Sequence, residues 1–102
     1  MIPQEITKQQ ASFVYANEAD LLNVALFGIT AKDWRDGNPD KKGNVRDYAT
    51  LEQLVVLSNM ESINALLIQQ NLSQRDRLLQ LNKVAITQMK SLLESNSIKK
   101  LK

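Results

Sequence analysis

Hydrophobic positions recur at helical spacing in four stretches of the chain, separated by short polar links. The first opens at Asn17-Glu18-Ala19-Asp20, where Asn17 is a helix cap and the two acids sit where the helix dipole favours negative charge. Leu21, Leu22, Val24, Ala25 and Leu26 follow, and Gly28 is a natural left-handed stop, so a helix is predicted over 17–27. Thr30-Ala31-Lys32-Asp33 is a capping box with Asp in place of the usual Glu. It opens a short helix that Gly37-Asn38-Pro39 ends near Asp36. Thr50-x-x-Gln53 opens a third helix to about Asn71, and Ser73 caps a fourth that runs to about Ser95. The stretch ASFVYA, residues 11–16, reads equally as a short extended segment or an early helical turn. The pattern therefore predicts an all-α, compact bundle of about four unequal helices. The helical domain spans 17–95, preceded by an N-terminal segment (1–16) and followed by a basic C-terminal tail (96–102).

The two long helices differ in how their apolar residues are distributed. In the third, Leu54 and Ala65 point one way, Leu57 and Ile68 another, and Val56, Met60, Ile63 and Leu67 a third. A helix apolar nearly all round is expected to be surrounded, as the central helix of the fold. Asn59 and Asn64 lie among those positions and need partners if buried. In the fourth helix, the apolar residues from Leu78 to Leu93 cover an arc of roughly 220° at the helical period, wider than one neighbour buries. Either two elements pack on that arc or part of it meets a second copy, through Leu78, Asn82, Ala85, Met89 and Leu92. Asn82 falls inside the arc, where one buried Asn can fix the register of paired helices.

A chain of 102 residues with 43% apolar and 24% charged residues fits one globular domain with one modest core. No apolar run is long enough to span a bilayer, and MIPQEITKQQ lacks the charged start and apolar core of a signal peptide. The expectation is a cytoplasmic protein without a membrane partner. Cysteine and histidine are both absent, which removes disulfides, thiolate and imidazole metal ligands, and the commonest general base near neutral pH. Glu18/Asp20 and Glu52/Glu61 have no spacing that suggests acid–base pairing. No enzyme activity, metal or cofactor is expected.

Net charge is +2, but it is unevenly placed. Residues 1–72 carry six basic and nine acidic groups; residues 73–102 carry seven basic and two acidic groups. Nucleic-acid phosphates are one candidate partner, through Lys41, Lys42, Arg46, Arg75, Arg77, Lys83, Lys90 and the C-terminal lysines. The link WRDGNPDKKGNVRDYAT, residues 34–50, concentrates the question. A nucleotide-binding loop needs four residues between its glycines, followed by Lys and Ser/Thr. Here five residues separate Gly37 from Gly43, the lysines precede the second glycine and Asn44 follows it. The link is instead read as a connector anchored by Trp34, Asp47, Tyr48 and the Thr50 cap, with Asp47 bonding nearby backbone amides.

Residues 15–93 resemble the region that follows the KilA-N domain in bacterial and phage-associated KilA-N proteins. The resemblance is carried by Glu18-Ala19-Asp20-Leu21-Leu22-Asn23, Phe27-Gly28, Thr30-Ala31-Lys32-x-Trp34-Arg35, Asn44 to Thr50, Asn59-x-Glu61 and Leu72-Ser73-Gln74. KilA-N proteins are regarded as DNA-binding proteins of phages, DNA viruses and bacterial mobile elements, with DNA binding attributed to the N-terminal KilA-N domain, which this sequence does not show. The resemblance implies a C-terminal helical accessory module, and transfers no functional residue. Together these readings give two expectations: a non-catalytic interaction or oligomerisation module, with a protein partner or a second copy of itself, or direct, salt-sensitive nucleic-acid binding.

Overall fold

The computed structural model describes residues 2–101, with side chains to Ser95, as an all-α bundle. The helices are α1 (Lys8–Ser12), α2 (Glu18–Phe27), α3 (Ala31–Gly37), α4 (Leu51–Gln69) and α5 (Gln74–Leu101), with a single 3-10 turn at Val45–Tyr48. No strand occurs among the described residues. Side-chain caps set most starts: Asn17 accepts from the Asp20 amide, Thr30 from that of Asp33, and Thr50 from that of Gln53 in a reciprocal box. Gly28 closes α2 at φ 76°, in the left-handed geometry where glycine has no steric cost. Asn71 takes the same left-handed region beyond α4, a conformation Asn tolerates better than most residues.

Two elements were not predicted. Thr7-x-x-Gln10 forms a full capping box over α1, spelled like the Thr50-x-x-Gln53 box. Asn44-x-x-Asp47 caps the 3-10 turn in the same reciprocal way. The N-terminal segment is also no separate piece. Ile6 packs on the core, Tyr15 is buried within it, and Gln74 bonds both the N–H and the C=O of Tyr15 at 3.0 Å. At the other end, α5 continues past Ser95 to Leu101, so the backbone of the predicted tail is helix as far as Leu101. Its lysine side chains lie outside the described residues.

The packing corrects the expectation for the two long helices. The surrounded helix is α2, whose residues Leu21 to Leu26 are all buried, rather than α4. It packs on both α4 and α5, which also pack on each other, and α1 leans on α5. That arrangement buries the centre of the α5 arc, where Leu78, Leu81, Ala85 and Met89 are at most 1% exposed, and leaves Leu79, Val84, Ile86, Leu92 and Leu93 half-buried. The expected self-association face of Leu78, Asn82, Ala85 and Met89 is therefore interior to one chain, with Leu92 packed at the core's edge.

Buried polar groups fix how the elements meet. Asn82 donates to the carbonyls of Ala25 and Gln4 at 3.0 Å and accepts from the Ile6 amide at 3.1 Å. One amide thus ties α5 to α2 and to the N-terminal segment. Replacing it strands three backbone groups, one buried and two part-buried, at about 1–3 kcal/mol for each group left buried and unpaired. Asn82→Ala is expected to lower unfolding free energy by about 2–4 kcal/mol. Urea titration measures that loss, and the Ile6 amide should lose hydrogen-exchange protection more than amides in the middle of α4.

Candidate interaction surface

With α4 only half covered, its other face is bare. Leu51 is 74% exposed and Leu66 52%, while Leu54, Val55 and Ile68 are each more than two-fifths exposed. At the helical period, Leu51, Leu54, Val55, Ser58, Ser62, Ala65, Leu66 and Gln69 fall within an arc of about 120°. Every one of these is exposed, and none carries a charge. The helix's two charged residues, Glu52 and Glu61, lie on the flanks of that arc. Along its centre, Leu51, Val55, Ser58, Ser62, Ala65 and Gln69 alternate four and three residues apart, the spacing by which one helix seats on another. Phe13 and Val14 in the N-terminal segment are also exposed, at 62% and 84%, but they are two adjacent residues rather than a stripe along a helix. The sequence signal for the α4 stripe was the all-round apolar character of α4, which the pattern alone assigned to burial.

The basic residues differ in how far their side chains are free. Arg77 is buried at 6% exposure. Its guanidinium forks onto the Glu18 carboxylate, donates to Asn64 Oδ1 at 2.9 Å, and its Nε reaches the Leu72 carbonyl at 3.2 Å. Asn64, the buried Asn of α4, in turn donates to Glu18 at 2.8 Å. Arg77 is thus a core residue that joins α2, α4 and α5, and its assignment as a nucleic-acid contact is withdrawn. Arg46 is half-buried and donates through Nε to the buried Asn23 side chain at 3.1 Å. Lys42, Arg75, Lys83 and Lys90 are exposed, and Lys41, also exposed, lies over the Tyr48 ring at 5.2 Å.

The 34–50 link is held at both ends. Trp34, half-buried, tilts against Tyr48 with ring centroids 5.2 Å apart, and the Tyr48 hydroxyl donates to the Lys42 carbonyl at 3.0 Å. Asp47 Oδ2 accepts from the Asn44 amide at 2.8 Å. Gly43 passes this carboxylate at φ 86°, and a Cβ there would collide with it. The second glycine of the link therefore serves the Asp47 cap rather than a phosphate. Thr50 then starts α4. Beside the link lies a hollow of about 580 Å³, walled by Phe27, Trp34, Val45 and Tyr48 and by the N-terminal segment. Of its polar lining, Gln10 and Gln53 each accept from a helix-cap amide. Among the described residues no group of three or more acidic side chains is placed to hold a metal ion. Nor is any helix among them long and apolar enough to cross a membrane.

Comparison with models of protein families, with curated proteins and with solved structures finds no match for this chain. The fold and surface define its class on their own: a small all-α bundle with one uncharged, exposed helix face.

The Arg77 hydrogen bonds hold the Glu18 carboxyl below its ordinary value of 4.5, against the burial that pushes it upward; Asn64 adds to the lowering. A carboxylate more acidic in the folded than in the unfolded chain stabilises the fold fully above about pH 4.5. That contribution disappears as pH falls through the folded value. Thermal melts from pH 7 to 3 should show the wild type losing stability below about pH 4.5 more steeply than Glu18→Gln, which has no carboxylate to protonate. In the link, Asp47→Ala removes a cap at about 1 kcal/mol, whereas Lys41→Ala removes an exposed cation–ring contact at roughly 0.5 kcal/mol. The melting temperature should fall further for Asp47→Ala, and equal shifts would show that the link is not held this way.

Proposed function

We propose that this chain is a non-catalytic interaction module of a KilA-N-type, phage-associated DNA-binding protein, and that the bare face of α4 is where it meets a protein partner. The single observation behind the contact face is the uncharged, exposed arc from Leu51 to Gln69. The KilA-N setting is supported by the sequence resemblance over residues 15–93, and by that alone. Direct binding of nucleic acid is the weaker reading, since Arg77 is sequestered in the core and Arg46 is engaged with Asn23.

Energetics set the expected strength of the contact. Fully covering a Leu, Val or Ile contributes about 1.5–3 kcal/mol, so five partly exposed side chains contribute about 5 kcal/mol from this side. An apolar partner adds a similar amount, against an association cost on the order of 4–15 kcal/mol. The balance describes a reversible contact rather than a permanent one.

Adjacent valines test whether the face is free. Val55 is exposed and Val56 is fully buried. Val55→Asp should lower the melting temperature by no more than about 4 °C, while Val56→Asp should abolish cooperative folding. If Val55→Asp is as damaging as Val56→Asp, the face is covered and the interaction reading fails. DNA or RNA binding at roughly 50 mM salt that weakens steeply as salt rises would instead favour the nucleic-acid reading.

A further inference from the structure

We infer that α5 carries a groove for a peptide main chain, that residues 2–15 fill it as a built-in ligand, and that this strap leaves as a unit while α2, α4 and α5 stay folded. The open groove takes a non-helical peptide with a branched aliphatic side chain in the place of Ile6. It shares no residue with the bare face of α4.

Two side-chain amides of α5 carry the recognition. Asn82 accepts from the Ile6 amide at 3.1 Å and donates to the Gln4 carbonyl at 3.0 Å. Nearer the start of α5, Gln74 accepts from the Tyr15 N–H and donates to the Tyr15 C=O, both at 3.0 Å. Each amide thus offers the strap one donor and one acceptor, the complement of what a peptide main chain presents. About 12 Å separates the two along the helix axis, and the strap runs opposite to α5 between them. Neither pairing uses a strap side chain, so any main chain on the same path satisfies both. Ile6 adds the side-chain preference, packed on the core beside Asn82. Asn82 is also set in advance. Its other amide hydrogen goes to the buried Ala25 carbonyl at 3.0 Å, which holds the side chain in place with or without the strap.

The strap is bound to the bundle more than built into it. Its short helix α1 closes its own capping box, and the Tyr15 hydroxyl returns to the Gln10 carbonyl at 2.8 Å. Of residues 2–15 only Ala11 and Tyr15 are buried, against six consecutive residues of α2. Besides the two amide pairings, Gln10 Nε2 donates to the Gly28 carbonyl at 3.3 Å. The groove is also wider than its occupant. Glu5 and Ile6 line two hollows at once, the one of about 580 Å³ toward Trp34 and another of about 360 Å³ toward Leu79 and Ile86. Few buried side chains and open space alongside are the marks of a segment that opens locally, below the free energy of global unfolding.

The tether holds the strap at an effective concentration on the order of millimolar, so a free peptide competes with it weakly. Loosening the strap raises the apparent affinity of the groove in proportion to the fraction of chains left open. The full chain and its Ile6→Ala variant are therefore titrated with a fluorescein-labelled peptide of residues 2–15, up to about 1 mM, and read by anisotropy. Ile6→Ala weakens the strap and leaves the groove intact, so it should bind the peptide about tenfold more tightly than the wild type does. The same peptide carrying Ile6→Asp should bind neither chain. By hydrogen exchange of the wild type, the Ile6 and Tyr15 amides should share one opening, with protection about tenfold or more below that of the Leu81 and Met60 amides. Equal affinity of the two chains, binding by neither, or equal binding of the Ile6→Asp peptide overturns the groove. Protection at Ile6 and Tyr15 that matches Leu81 overturns the separate opening, as does an Ile6→Ala chain that loses the helical circular dichroism of the bundle.

Discussion

Covering the centre of the apolar arc of α5 is the constraint on which the rest of this structure depends. The arc is too broad for one neighbour, and it contains two polar residues that cannot be left unpaired once covered. Asn82 meets that demand with backbone groups of α2 and the N-terminal segment. Arg77 meets it with Glu18 at the start of α2 and with Asn64 on α4. A buried guanidinium without its carboxylate is strongly destabilising, so Arg77 fixes where α2 begins relative to α5. Two side chains one turn and a half apart on one helix thus set the positions of three other elements.

The same constraint explains what is left outside. Packed on each other and on α2, α4 and α5 share a single core, and α4 contributes Val56, Leu57, Met60, Asn64 and Leu67 to it. Those residues account for one side of α4 only. Leu51, Leu54, Val55, Leu66 and Ile68 stay exposed outside that core among the described residues. The basic residues follow the opposite course. Two of the arginines that looked available for phosphate have partners inside the fold, which shifts the functional reading from charge toward apolar contact.

Much of the architecture was legible in the sequence because it is locally encoded. The Asn17, Thr30 and Thr50 caps and the Gly28 stop lie within a few residues of what they terminate, and the helix bounds follow from them. The boxes at Thr7 and Asn44 have the same local grammar and were passed over, because the runs they open are only five and four residues long. Long-range choices were less legible. Periodicity shows that α4 and α5 each have more apolar surface than one neighbour covers, but not which of the two the third helix and the N-terminal segment will cover. The expectation placed α4 at the centre, where the structure has α2, and left α5 open between two packed neighbours and a second copy; the structure has two neighbours, α2 and α4, on it. Arg77 was misplaced for a related reason: its carboxylate partner lies 59 residues away, in the first turn of another helix. The link at 34–50 holds the chain's path through the Trp34–Tyr48 ring contact and the Asp47 cap.

The central claim is that one chain buries the centre of the α5 arc and leaves the α4 arc open. A soluble paramagnetic probe, read on side-chain NMR signals, tests it most directly. The account predicts strong broadening at Leu51, Val55 and Leu66, and sharp signals at Leu78, Leu81 and Met89. Broadening of the α5 signals, with those of α4 protected, would contradict it.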